Sequence, residues 1–477
     1  MLGQSSEGPR STVVCDRADE KRRIRIMREK PQTLYAWAGK HVAIAYQVVG
    51  DGPVDLVYLQ GYASNVDVNW EWAPIARFLE GLAGISRLIV MDLRGQGLSE
   101  RFAPPEVPPL ETLMDDVNAV LDAAGSERAV VLATDECGFV AIPFAATYPD
   151  RCIGLVLWSA APAWVRDDEL PWEWDEERWA KAVDDIRSGW GMTERAKRDL
   201  EEASPSLAAD PGVAEFWARF ERSAGTPAGS AAAVTKWSHT DVRSVLPAVH
   251  VPTLVIHARD DPVEPVDSAR YLAAHIRGAR LEIVPSKDHF VYASHQKEVL
   301  ASVSRFLSGV RQTESVLDRF LSTVLFTDIV GSTERLSALG DARWRDLLER
   351  HHGGVRAHLA RFRGVEVDTA GDGFFASFDG PARAIRCAKA IVEDARSMGV
   401  EVRAGLHTGE CETIDGKVGG LVVNIGARIG ALAGPSEVVV SQTVKDLVVG
   451  SGLQFDDRGE HELKGVPDLW RLYAVTE

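Results

Sequence analysis

Two short stretches each set one carboxylate where an apolar run gives way to a turn. The first is Phe326-Thr327-Asp328-Ile329-Val330-Gly331-Ser332-Thr333 and the second is Thr369-Ala370-Gly371-Asp372-Gly373-Phe374. Brought together on adjacent strands, Asp328 and Asp372 would offer hard oxygen donors of the kind that hold Mg²⁺ or Mn²⁺. Gly331, Ser332 and Thr333 follow at an expected helix start, where backbone N–H groups suit a phosphate. Farther on, Asn424 and Arg428 stand four residues apart, so on a helix both side chains leave one face. Lys464, in Glu462-Leu463-Lys464-Gly465, adds positive charge suited to a polyphosphate.

These residues need a scaffold, and the chain supplies two strand–helix patterns. The later one opens at Ser322-Thr323-Val324-Leu325-Phe326 and runs to the C-terminus. A polar stretch around residues 309–315 parts it from an earlier pattern. There Val54–Leu59, Arg87–Met91, Ala129–Ala133, Thr253–His257 and Arg280–Val284 read as buried strands of a mostly parallel sheet covered on both faces. Between about 161 and 245 the chain turns acidic and holds seven of its 13 tryptophans, which reads as an inserted helical cap with those rings as its own core. The expected layout is an arm over 1–32, a first domain over 33–310, a linker over 311–321 and a second domain over 322–477. His41, His257 and His407 fall in apolar strand contexts and read as structural.

Residues 322–477 resemble the class III nucleotidyl cyclase catalytic domain, an α+β fold with a ferredoxin-like core. The resemblance implies that Asp328 and Asp372, helped by the Ile329 carbonyl, bind two Mg²⁺ or Mn²⁺ ions. Phe326, Thr327, Gly331, Ser332 and Thr333 fall in the nucleotide-binding motif. Asn424 and Arg428 match the pair that orients the ribose and stabilises the transition state, and Lys464 matches the lysine on the triphosphate. The implied reaction is attack of the nucleotide 3′ oxygen on its own α-phosphorus, in a homodimer whose sites draw metals from one chain and Asn–Arg from the other. At the two base-selecting positions the family's lysine and aspartate are replaced by Asp368 and Lys417. Reversed charges favour guanine, which donates where adenine accepts. Cyclases fused to hydrolase-like domains favour ATP, and ATP is kept ahead of GTP.

Residues 33–310 resemble the α/β-hydrolase fold. Thr134-Asp135-Glu136-Cys137-Gly138 occupies the nucleophile elbow, with Asp135 in the slot where most members carry serine. Asp261 matches the triad acid, His289 the triad histidine, and Gln60-Gly61-Tyr62 the oxyanion loop. An aspartate there resembles haloalkane dehalogenases and epoxide hydrolases, which pass through an ester. Glu136 replaces the tryptophan those enzymes place next, which favours a retired fold that binds an unknown small molecule and regulates the cyclase over an active hydrolase.

Composition narrows the classes further. The 477 residues carry 45% hydrophobic and 26% charged side chains with a formal charge of −17, ordinary for a globular protein and unfavourable for nucleic acid or anionic membranes. Five cysteines, never spaced as C-x-x-C, argue against a disulfide framework or a cysteine zinc site. A basic N-terminus without an apolar core is not a secretory signal, and no apolar run is long enough to span a membrane. A cytoplasmic location is expected.

Overall fold

The computed structural model describes residues 30–310, 319–414 and 417–476. Most of the expected arm, most of the expected linker and Cys15 lie outside the described residues, as does the side chain of Lys417.

The first domain is built on eight strands: β1 (Leu34–Ala38), β2 (Val42–Val49), β3 (Asp55–Leu59), β4 (Arg87–Met91), β5 (Ala129–Thr134), β6 (Cys152–Trp158), β7 (Thr253–Ala258) and β8 (Arg280–Val284). Their order is β1-β2-β4-β3-β5-β6-β7-β8, antiparallel at the β1–β2–β4 edge and parallel from β4 through β8. All six residues of β5 are buried. Its alternate side chains divide between two cores, with Val131 and Ala133 in one and Val130 and Leu132 in the other. The period of two in a strand thus accounts for its unbroken apolar run.

The cap is formed by helices Glu176–Gly189, Thr193–Ala203, Val213–Ala224 and Pro227–Trp237, inserted between β6 and β7. Trp217 is fully buried in its core, as expected. Trp164, Trp190 and Trp237 are buried core rings as well, and together with the partly buried Trp174 and Trp179 they also wall a cavity between cap and sheet, a role the sequence did not announce. His41 departs from the expectation: it lies exposed in the turn before β2.

The second sheet comprises β9 (Arg319–Ile329), β10 (Val365–Ala370), β11 (Gly373–Phe378), β12 (Val402–Ile414), β13 (Lys417–Gly419), β14 (Val438–Ser441), β15 (Phe455–Glu462) and β16 (Leu469–Val475). The order is β10-β11-β9-β12-β14-β16-β15, with β13 added to β12 as a hairpin. Strand β9 begins three residues ahead of Ser322, inside the expected linker, because Arg319–Leu321 continue the ladder onto Glu410–Glu412.

The domains are docked through polar and apolar contacts. The buried Glu111 carboxylate accepts from the Ala382 and Arg383 N–H groups, capping the start of helix Pro381–Ser397. Asp115 pairs with Arg363 at 2.8 Å and also with Arg383, while the Tyr148 hydroxyl donates to Asp379 at 3.0 Å. Leu321 and Leu447 join the first domain's core. This contact lies at the start of β9, whereas Asp328 lies near its end.

Candidate active sites

Strand β9 delivers Asp328, and the turn between β10 and β11 delivers Asp372. Pairing of β9 with β11 places Thr327 opposite Phe374, two residues after Asp372. The Ile329 N–H then donates to the Asp372 carboxylate at 3.0 Å, so backbone geometry fixes one aspartate beside the other. Burial, and then the charge of Asp328, raise the Asp372 pKa above the ordinary range, while Ser332 hydrogen-bonds to it and opposes the rise. Like charges held this close, at a partly buried site of hard oxygen donors, fit a divalent cation. Among the described residues no group of three or more His, Cys, Asp or Glu side chains is placed for a metal, so other ligands must complete the shell. Gly331, in the left-handed region at φ +68°, starts helix Ser332–Leu339 against this pair.

Arg403 was not singled out by the sequence. It sits opposite Asp328 in the β9–β12 ladder and donates to it at 2.6 Å, and its other nitrogen reaches the Ala431 carbonyl at 3.3 Å. Its signal is positional: a basic residue directly across from a metal-type carboxylate. Phe326 and Thr327 lie on β9 just ahead of Asp328. The Phe326 ring stacks on Phe375 at 4.6 Å, and Thr327 is buried.

Asn424 and Arg428 lie on helix Leu421–Leu432, which packs across β12 and β9. Both are exposed, and among the described residues neither side chain has a hydrogen bond or ion pair. Leu463 packs with Ile425 and Ile429, so the adjoining exposed Lys464 belongs to the same part of the surface. The structure therefore collects Asp328, Asp372, Gly331 and Ser332 in one group and Asn424, Arg428 and Lys464 in another. No hydrogen bond or ion pair joins the two groups among the described residues.

Asp368 is exposed on β10 and level with Phe326 through Phe375. Lys417 pairs with Ile414, beyond Glu412, which faces Arg319. Seven β9 residues separate those levels, ~23 Å at the usual rise, so strand pairing in one chain does not bring 368 and 417 together.

In the first domain, β5 ends at Thr134 and Asp135 takes φ +54°, a strained value for a non-glycine residue. That turn lifts its carboxylate toward the cap. His289 Nε2 lies 3.3 Å from Asp135, and Nδ1 lies 2.9 Å from Asp261. Asp261 is fixed in turn by Ser159 Oγ at 2.8 Å and by the N–H groups of Val263 and Glu264. Burial opposes a charge on His289, but Asp261 and Asp135 outweigh it and hold the imidazolium well above its ordinary pKa. Burial likewise opposes ionisation of Asp261, yet His289 draws it down to about 2.

Glu136 decides the character of this site. Its carboxylate accepts from the Tyr62 N–H at 2.6 Å and from its own backbone N–H. Those two donors come from the loop after β3 and from the residue following Asp135, the positions that form an oxyanion hole in this architecture. A side-chain carboxylate therefore occupies the donors that would otherwise stabilise a developing oxyanion. Gly61 makes this approach feasible, since a Cβ there would collide with the Thr134 carbonyl and the Glu136 carboxylate.

Among known proteins, residues 56–296 match the family model for the alpha/beta hydrolase fold, and residues 321–476 match that for the adenylate and guanylate cyclase catalytic domain. A pimeloyl-[acyl-carrier protein] methyl ester esterase of Nitrosospira multiformis is 24% identical over 273 residues, covering 56% of this chain and 98% of the relative. A putative adenylate cyclase 3 of Rhizobium meliloti is 29% identical over 164 residues, covering 31% of this chain and 27% of the relative. The crystal structure of a bromoperoxidase from Bacillus anthracis superposes with a TM-score of 0.51 at 20% identity, over 58% of this chain and all of that one, a likeness of fold.

Proposed function

Because the chain belongs to the alpha/beta hydrolase fold family over residues 56–296 and carries an adenylate and guanylate cyclase catalytic domain over 321–476, we propose that it converts ATP to 3′,5′-cyclic AMP and pyrophosphate, at sites shared across a homodimer and under the control of its hydrolase-like domain. The observation that carries this reading is the division of the cyclase residues. The carboxylates sit together, while Asn424, Arg428 and Lys464 point outward without partners among the described residues. Two half-sites on one chain are complementary when a second copy is related by a twofold axis.

In this reading Asp328, Asp372 and the Ile329 carbonyl hold two Mg²⁺ or Mn²⁺ ions, which when bound activate the 3′ hydroxyl and neutralise phosphate charge. The turn at Gly331–Thr333 offers N–H groups to the triphosphate. Lys464 of the other chain adds positive charge there, Asn424 orients the ribose, and Arg428 stabilises charge that develops on the phosphates. The name of the Rhizobium relative supports ATP over GTP. The test is purified protein with ATP or GTP and Mn²⁺, with products separated by chromatography. Cyclic AMP is expected, and absence of any cyclic nucleotide across metals and pH refutes the proposal.

A second reading, hydrolysis by the first domain, draws on the aligned Asp135, His289 and Asp261. Asp135→Asn would abolish turnover of epoxides, haloalkanes or esters if that reading held. The Glu136 carboxylate in the oxyanion position favours a ligand-binding domain, in which a bound molecule is recognised rather than cleaved.

A further inference from the structure

The cavity between sheet and cap has a volume of about 680 Å³, within the range of sites for small organic molecules. Its walls are aromatic. Trp164 and Trp179 stack at 4.8 Å, and Trp174 and Trp179 lie 4.6 Å apart. The indole N–H groups of Trp164, Trp174, Trp179 and Trp190 are spent on the protein. Trp164 donates to Glu264, Trp174 to the Val263 carbonyl and Trp179 to the Trp164 carbonyl. Trp190 donates to the Glu221 carbonyl. These four rings therefore offer a ligand apolar ring surface rather than N–H donors.

The floor is acidic. Asp135, Glu136, Glu173 and Glu264 line the cavity, with the single imidazole of His289 among them. Glu264 is 3% exposed, and among the described residues its Oε1 has no hydrogen-bond partner. Burial, and then Glu173, raise the Glu264 pKa well above the ordinary range, and burial lifts Glu173 to about 7. Glu136 is raised as well, by burial and then by Asp135. Four carboxyl groups thus share this floor with one imidazole, and Asp261 holds that imidazole from behind, outside the lining.

The guanidiniums in the lining are paired with carboxylates or rings, Arg198 among them with Asp185, and Lys181 lies in the lining on cap helix Glu176–Gly189. Arg195 is held by Asp185, Asp199 and Glu221 and donates to the Tyr62 hydroxyl. Arg94 is held by Asp116. Arg178 lies over the outer Trp174 ring, 3.6 Å from its centroid. Among the described residues no cluster suits a metal ion at this floor. Buried carboxyl groups that outnumber the one imidazole, beneath a wall of indole rings, are the arrangement that attracts a cation with an apolar body.

We propose that this cavity is a receptor site for an organic cation, a protonated amine or quaternary ammonium carried on an apolar body. The inference rests on the ligand-binding reading of the first domain and adds the chemical class of the ligand.

The probe is benzyltrimethylammonium, compared with neopentylbenzene, its uncharged isostere, on the full-length protein. Binding is followed by tryptophan fluorescence and by thermal shift. The cation should bind at least tenfold more tightly than the isostere, and Glu173→Gln combined with Glu264→Gln, which removes the negative charge the pair shares and keeps an acceptor for Trp164, should weaken it at least tenfold. Asp135→Asn, at another carboxyl of the cavity floor, serves as the second variant should the first fail to melt cooperatively. Equal binding of cation and isostere, no binding of the cation, or affinity unchanged in both variants would each overturn the proposal. Cyclic nucleotide production, measured in parallel, separates the two layers of the argument. Selective binding that leaves the cyclase rate unchanged refutes control by the first domain and leaves the cation site standing. A response of the rate to the neutral compound refutes the cation site and leaves control standing.

Discussion

Mixing equal amounts of Asp372→Ala and Arg428→Ala proteins, each inactive alone, should restore about one quarter of the parental cyclase rate. The magnitude follows from the division of the site. Asp372 stands with Asp328 and Ser332, whereas Arg428 is exposed on helix Leu421–Leu432 with no link to them among the described residues. In a twofold dimer each site takes its carboxylates from one chain and its arginine from the other. Random exchange makes about half of the dimers mixed, and a mixed dimer has one site carrying both lesions and one carrying neither. About one quarter of all sites is then intact. Each homodimer keeps neither site, since losing a metal carboxylate or a charge-stabilising group costs ~10²–10³ in rate. The assay is cyclic nucleotide formation after co-refolding or prolonged co-incubation, with mixed dimers counted by differential tags. A mixture that stays inactive while mixed dimers are present refutes the shared site, and so does full activity of either single variant.

Three further outcomes are expected. Asp368→Lys with Lys417→Asp should raise the ATP-to-GTP ratio of kcat/KM by about tenfold to a hundredfold, the worth of one polar readout, with each single change worse than the double; an unchanged ratio means that dimerisation does not bring the two positions to one base. Gly405→Ala should lower Tm and cyclase activity together, because a Cβ there collides with the Gly430 backbone of the helix carrying Asn424 and Arg428, at ~1–3 kcal/mol; an unchanged Tm would show that the helix yields freely. Lys236→Met should stabilise the protein at pH 7. Lys236 is 4% exposed beside Gly450, and burial lowers its pKa to about 7. Between pH 7 and about 10 the unfolded chain binds a proton that the folded chain lacks, so parental stability climbs across that window. The variant should lose that slope in urea titrations at several pH values, and a retained slope would point to another group.

Much of this protein was legible without coordinates, because local chemistry repeats in the chain. Unbroken apolar runs such as Ala129–Thr134 specify strands buried on both faces, since side chains that alternate between two cores must all be apolar. The two aspartate turns and the Asn424–Arg428 spacing likewise depend on strand ends and helical periodicity, which neighbouring residues set. What the sequence could not supply was which distant residues meet. Arg403 reaches Asp328 only through the β9–β12 register, and Glu264 meets Glu173 only when the cap folds over β7. Glu136 read as an odd replacement beside Asp135. Its role appears only when the loop after β3 brings the Tyr62 N–H to it across 74 positions of sequence. The tryptophans of the cap show the same limit. Their number announced a packed aromatic core, but the side of each ring that faces a cavity is settled by where its N–H finds an acceptor, and those acceptors lie on other elements. Composition and periodicity act within a few residues, whereas a binding site is made by contacts between elements that only tertiary packing brings together.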